Sequence, residues 1–193
     1  MPYPAVSSAN AAGAAFFIEM PPADQIDNGQ EKGNRAMEQQ VYQLLEEMSI
    51  SYGRVAHPAV YTVAESQKLE KNLPGVGCKN LFLRDREENY YLYLLPDGNR
   101  ADLWGLQRLL GCSKLTFASP EELLEQLGLT PGSVTPLGVL NNDGRVTLLL
   151  DCSLEGQTLL VHPNVNTATI SLAWSDLLRI IHRFGNPCRT VGN

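Results

Sequence analysis

The 193-residue chain contains no Cys-x-x-Cys pair; its four cysteines stand far apart, at Cys78, Cys112, Cys152 and Cys188. That scatter points to neither a zinc framework nor a dithiol redox motif, and isolated cysteines in a chain of this size read as reduced thiols of a cytoplasmic protein. No apolar run is long enough to span a bilayer, the short piece around Ala14, Phe16, Phe17 and Ile18 included, and no basic stretch precedes that piece as a secretory leader would require. Positive charge is in deficit: 15 Lys and Arg against 21 Asp and Glu give a net charge of -6. This argues against broad binding along a nucleic-acid backbone, while leaving room for one nucleic-acid end to dock on a local basic patch. There is no P-loop, no dinucleotide fingerprint, no Ser-His-Asp signature and no internal repeat.

What is present is the composition of a soluble globular protein, 44% hydrophobic and 19% charged. The length allows one domain with a sizeable core. Residues 1–34 read as a low-complexity N-terminal extension without chemistry of its own, and residues 35–193 as the folded domain.

Within that domain Val41, Leu44, Leu45 and Met48 recur at helical spacing, predicting a helix over 36–48. A short strand is expected at 52–55. Thr62 and Glu65 form a capping box for a helix through Leu73, stopped by Pro74-Gly75. Strands at 80–85 and 90–95 make a hairpin, the first apolar on both alternating sets and hence covered on both faces. Asp102 caps a helix ended by Gly111, a short strand is expected at 115–117, and Ser119-Pro120 starts a helix ended by Gly128. Strands are then expected at 134–140, 145–151, 158–162 and 167–172, with Asn142-Asp143-Gly144 as a hairpin turn. Ser175 would cap a last helix, and the segment from Gly185 to Cys188 reads only as a turn. Helices interspersed with hairpins indicate an α+β domain with a mixed sheet.

Four segments are unusual for a purely structural chain: Gly75-Val76-Gly77-Cys78-Lys79-Asn80, Gly132-Ser133-Val134-Thr135-Pro136, His162-Pro163-Asn164-Val165-Asn166-Thr167, and His57-Pro58. Lys79 shares parity with Leu81 and Leu83, so an ammonium stands at the mouth of an apolar strand. Burying it unpaired would cost several kcal/mol, roughly. It therefore lies in water at the strand entrance or is placed there for a reason. Each segment alone also has a bland account, as a turn or a solvated strand end.

Taken together, the words LPGVGCKNLFLRD, KLTFASPEELLEQLGLTPGSVTPLGVLNNDG and HPNVNTAT resemble the free-standing prolyl-tRNA editing family. These are the YbaK-like deacylases related to the editing insert of bacterial prolyl-tRNA synthetase. The resemblance covers residues 36–185 and is strongest to the alanyl-tRNA(Pro) deacylases. It implies an α+β fold with a mostly antiparallel, partly closed, barrel-like sheet flanked by helices. It also implies hydrolysis of the ester joining a wrong amino acid to the terminal adenosine of tRNA(Pro), in the cytoplasm, with no cofactor and no metal. The partners implied are the mischarged tRNA 3′ end and prolyl-tRNA synthetase, with no membrane.

By the same resemblance Lys79, Gly132 and Ser133 are the candidate catalytic residues. Lys79 would bind ribose or phosphate oxygens and stabilise the leaving 3′-oxygen; the Gly132–Pro136 loop would hold the substrate carbonyl and a water. Asn80, Val134, Thr135 and Pro136 would contact substrate, His162 with Asn166 and Thr167 would wall the alanine pocket, and His57 would support it. The family often carries His where this chain has Gly77, so a contact from that position is lost. Cys78 has no role in this chemistry. A deacylase for Cys-tRNA(Pro) or another small amino acid, and a non-catalytic tRNA-end or synthetase-binding module, are the rival readings. The need for such an enzyme is physical: a synthetase pocket discriminates against a missing methylene or two by only about 1–3 kcal/mol.

Overall fold

The structure, a computed structural model, describes residues 28–59 and 73–192. The helix expected from Thr62, with Glu65 in its capping box, lies outside them. The elements are α1 (Asn28–Glu47), β1 (Gly53–Ala56), β2 (Val76–Arg84), β3 (Tyr90–Pro96), α2 (Leu103–Leu110), β4 (Thr116–Phe117), α3 (Pro120–Leu127), β5 (Val146–Asp151), β6 (Thr158–Val161), β7 (Ala168–Ala173), α4 (Trp174–Arg183) and β8 (Cys188–Val191), with short 3-10 helices at Pro136–Asn141 and Cys152–Leu154. Eight strands form one mixed sheet in the order β1-β7-β6-β2-β3-β5-β8, with β4 on β2. The order runs from edge to edge, so the expected partial closure into a barrel is absent among the described strands.

The alternation of β3 explains why the sheet is covered on both faces. Leu92 and Leu94 enter one core with Val41 and Leu45 of α1, Leu127 of α3 and Leu177 of α4. Tyr91, Tyr93 and Leu95 enter a second, smaller core with Leu83 and with Leu106 of α2. Each fully buried leucine contributes about 1.5–3 kcal/mol of burial free energy. The caps read at Asp102 and Ser119 hold. The Asp102 carboxylate accepts from Gly105 N–H at 2.9 Å, and Ser119 and Glu122 form a reciprocal capping box on α3.

Three expectations fail. The segment 134–140 is not a strand: Pro136–Asn141 is a 3-10 helix started by Thr135 and Pro136, held by Gly138 N–H to Thr135 O at 3.1 Å and Asn142 N–H to Val139 O at 3.1 Å. The run from Pro136 to Val139 is buried throughout, so its uniform apolarity mimicked a core strand. Consequently Asn142-Asp143-Gly144 is no hairpin turn. Asn142 is buried there, its amide donating to Gln126 O at 2.8 Å while its carbonyl accepts from Arg145 and Val146 N–H. Ser175 does not cap α4; the helix begins at Trp174 after Ala173, and Trp174 N–H is satisfied by Gln157 O at 3.0 Å. The turn at 185–188 leads into an unexpected strand, β8, parallel to β5.

Candidate active site

β2 has a gap along one edge. It pairs antiparallel with β3 along Cys78–Arg84. On its other edge it pairs in parallel with β6 only at Val76↔Leu159 and Gly77↔Leu160, and with β4 only at Leu83↔Phe117 and Arg84↔Thr116. Ala118 N–H adds a bond to Phe82 O at 3.1 Å. Between these contacts residues 78–81 have no strand on this edge among the described residues. Because the Phe82 carbonyl faces this edge, the backbone groups of Asn80, two residues earlier, face it too.

Lys79 is half-buried, and its Nζ donates to the Asp97 carbonyl at 3.0 Å. Asp97 N–H in turn donates to Gly77 O at 3.0 Å, so the loop after β3 is tied to the start of β2 and holds the ammonium. A Cβ at Gly77 would collide with the Asp97 carboxylate. The close approach that the glycine permits is thus to the protein's own loop, in the space a larger residue would fill. Cys78 donates from Sγ to Val76 O at 3.3 Å.

The loop at 132–136 packs into the opening. Gly132 has φ +88°, a left-handed conformation that side chains resist. Ser133 is buried; its hydroxyl donates to Thr130 O at 2.8 Å and accepts from Thr130 N–H at 3.2 Å, and its own N–H also goes to Thr130 O. Its polar groups hold the turn. Among the described residues the N–H groups of Gly132, Val134 and Thr135 have no acceptor, so they are the donors this loop can offer a ligand. Thr135 is fully buried and donates from Oγ1 to His162 O at 2.7 Å, capping the carbonyl with which β6 would otherwise continue; Pro136, also buried, follows.

His162 Nδ1 lies 2.9 Å from Ala168 O, which can only accept, so Nδ1 carries a proton and donates it to that carbonyl. His57 packs beside it with ring centroids 6.1 Å apart. Its Nδ1 faces Pro58 O at 2.8 Å and its Nε2 faces Thr169 Oγ1 at 2.9 Å, while its N–H extends the β1–β7 ladder to Thr167 O. Thr169, buried on β7, is a member of this cluster that sequence reasoning missed; nothing distinguishes it from any other strand threonine. Asn166 is half-buried and the Thr167 side chain is exposed.

A cavity of about 740 Å³ runs along the open edge of β2, and Asn80, Gly132 and Val134 line it. The Asn80 Oδ1 is buried without a hydrogen-bond partner. The structure therefore brings Asn80, Gly132 and Val134 around one cavity, bonds Thr135 to His162, and packs the His57 ring beside that of His162. Neither Lys79 nor His162 lines that cavity. By strand alternation the Lys79 side chain leaves the face opposite to that of Asn80.

The Aminoacyl-tRNA editing domain model matches residues 57–180, which span the opened β2–β6 pair, the 132–136 loop and both histidines. The chain belongs to the aminoacyl-tRNA editing family. It is an editing enzyme of that family's class, a hydrolase of aminoacyl-tRNA esters. It is similar to the prolyl-tRNA editing protein ProX of Acetoanaerobium sticklandii, 38% identical over 79% of this chain and 95% of that protein. It is also similar to the prolyl-tRNA synthetase associated domain-containing protein 1 of Danio rerio, 34% identical over 75% of this chain and 81% of that one. Among solved structures, a candidate trans-editing enzyme for prolyl-tRNA synthetase superposes with a TM-score of 0.63 at 25% identity, covering 80% of this chain and 95% of that one. Among the described residues of this editing domain, no helix is long and apolar enough to cross a membrane.

Proposed function

We propose that the protein is a trans-editing deacylase that hydrolyses mischarged Ala-tRNA(Pro). The relatives named for prolyl-tRNA editing support the tRNA, and one observation carries the chemistry: where β2 and β6 part, Lys79 and His162 each stand two residues past the last pairing, and the 132–136 loop bonds to His162 through Thr135. An aminoacyl ester is already activated, so a positioned water and a stabilised oxyanion suffice. The N–H groups of Gly132, Val134 and Thr135 bind the ester carbonyl oxygen as it becomes negative, and Ser133 fixes the turn that aims them. The Lys79 ammonium, moored on Asp97 O, offers its remaining protons to the terminal ribose and to the departing 3′-oxygen. Asn80 orients the ribose through the backbone groups that it turns to the open edge of β2.

The amino-acid side chain sits against His162, with Asn166 and Thr167 on the same wall and His57 packed beside its ring. The substrate's own 2′-hydroxyl assists the water. Alanine fits a space in which proline meets the wall, which supplies discrimination the synthetase lacks. The editing domain is residues 35–193, acting in the cytoplasm on the 3′ end of tRNA(Pro) charged by prolyl-tRNA synthetase.

The test is release of amino acid from Ala-, Cys- and Pro-charged tRNA(Pro). Alanine is expected to leave fastest and proline to stay. Faster release of cysteine would move the specificity to the rival branch, and no release from any of the three would leave a binding module.

A further inference from the structure

The cavity along the open edge of β2 is far larger than a small amino-acid side chain requires. A pocket that separates alanine from proline has to be tight, whereas about 740 Å³ lies in the range of sites that enclose a ligand the size of a nucleoside. Its far end is built differently from the end at Asn80 and Gly132. Phe117 on β4 lines it and remains 43% exposed, an apolar ring left in water. Phe117 stands opposite Leu83, so it shares a strand face with Leu81 and Lys79, and Leu81 lines the cavity as well.

The neighbouring polar groups are already satisfied. Arg84 donates to Glu122 Oε1 at 2.5 Å, Tyr90 donates to the same oxygen at 3.0 Å, and Ser119 N–H donates to Glu122 Oε2 at 2.7 Å. The wall is therefore fixed and carries no uncompensated carboxylate, and the flat ring of Phe117 is left free at its edge.

We propose that this end of the cavity receives the base of the terminal nucleotide, with Phe117 as its stacking surface. The proposal rests on the deacylase reading above, because the ester must lie at Asn80 and Gly132 for the base to reach Phe117 along the same edge. Leu83 lies three residue steps along the strand from Asn80, about 10 Å. Stacking accepts any base face, which suits a site that needs only to hold the invariant end of its substrate. Phe117 is then a positioning residue: it sets where the ribose and ester lie without touching the reacting atoms.

The test is binding of a non-hydrolysable probe, 3′-alanylamido-3′-deoxyadenosine, beside its abasic counterpart, to the full chain, Phe117→Ala and Phe117→Trp. Phe117→Ala is expected to weaken the adenosine probe roughly ten- to a hundredfold, with Trp restoring it and the abasic probe unaffected. On charged tRNA the same substitution raises KM and leaves kcat within about twofold, the pattern of lost uniform binding. Equal binding of the adenosine probe by wild type and Phe117→Ala overturns the proposal. So does equal sensitivity of the abasic probe, which would place the amino acid there instead. Phe117-dependent probe binding by a protein that releases no amino acid would retain the base site and discard the hydrolytic reading.

Discussion

Lys79 and His162 stand at matching places on two strands that have just parted: each lies two residues beyond the last paired residues of the parallel β2–β6 ladder, Gly77 and Leu160. Continued pairing would have buried both in a sheet. The ladder instead stops, the Asp97 loop takes the ammonium, and Thr135 takes the carbonyl of His162. The opening is what converts two strand ends into a site.

Thr135→Val keeps the shape and removes the hydroxyl. The part-buried His162 carbonyl loses this hydroxyl, which costs about 1–3 kcal/mol. The expected result is a lower Tm together with slower deacylation, and Thr135→Ser should recover both. Thermal unfolding and a deacylation time course of the three proteins check it.

Gly132→Ala places a side chain at φ +88°. The strain of a left-handed residue is about 1–2 kcal/mol, relieved only if the loop shifts. Deacylation should therefore fall by more than the loss of folded protein accounts for. A variant as active as wild type would remove this loop from the chemistry.

Gly77→Ala leaves the fold but displaces the Asp97 carboxylate from the space it fills. Since the Asp97 carbonyl moors Lys79, kcat is expected to drop about tenfold through misplacement of the ammonium. Tm should move by a few degrees at most, and the two readouts together separate misplacement from unfolding.

Acid destabilisation has an identifiable origin. Burial alone would raise the carboxyls of Asp85 and Glu122, but hydrogen bonds outweigh it. Asp85 is held below the usual range by the side chain and N–H of Asn89, by Tyr91 and by the N–H of Glu87; Glu122 is held down by the N–H of Ser119 and by Arg84 and Tyr90. A lowered folded-state value means that the stabilisation is complete above the unfolded carboxylate value and is lost as pH falls through the folded one. Tm should be level above about pH 5 and decline below about pH 4. Asp85→Asn should lower the plateau and flatten that decline.

Sequence reasoning succeeded where the signal is local. Ser119, Pro120 and Glu122 carry their capping chemistry within one turn, and the β2–β3 hairpin shows in its own alternation. It failed where the environment is supplied from afar. Leu137 and Val139 are apolar because α3, α4 and the sheet surround them, and a uniformly buried run has no period to read. In β8 only Val191 is buried, so the strand exists through its pairing with β5 rather than through a pattern of its own. In the site, Lys79, His162 and the 132–136 loop were legible as residue types in unusual places. Asp97, Thr169 and Phe117 were not, because their roles depend on the loop, strand or edge that folding sets beside them.

The central claim is that the ammonium at the parted strands stabilises the reaction. Single-turnover deacylation of Ala-tRNA(Pro) by wild type, Lys79→Ala and Lys79→Arg tests it most directly. Loss of a charged donor at a developing oxyanion should slow the Ala variant by about 10²–10³-fold at unchanged secondary structure, with Arg only partly restoring the rate. Release of alanine by Lys79→Ala at the wild-type rate would contradict the account.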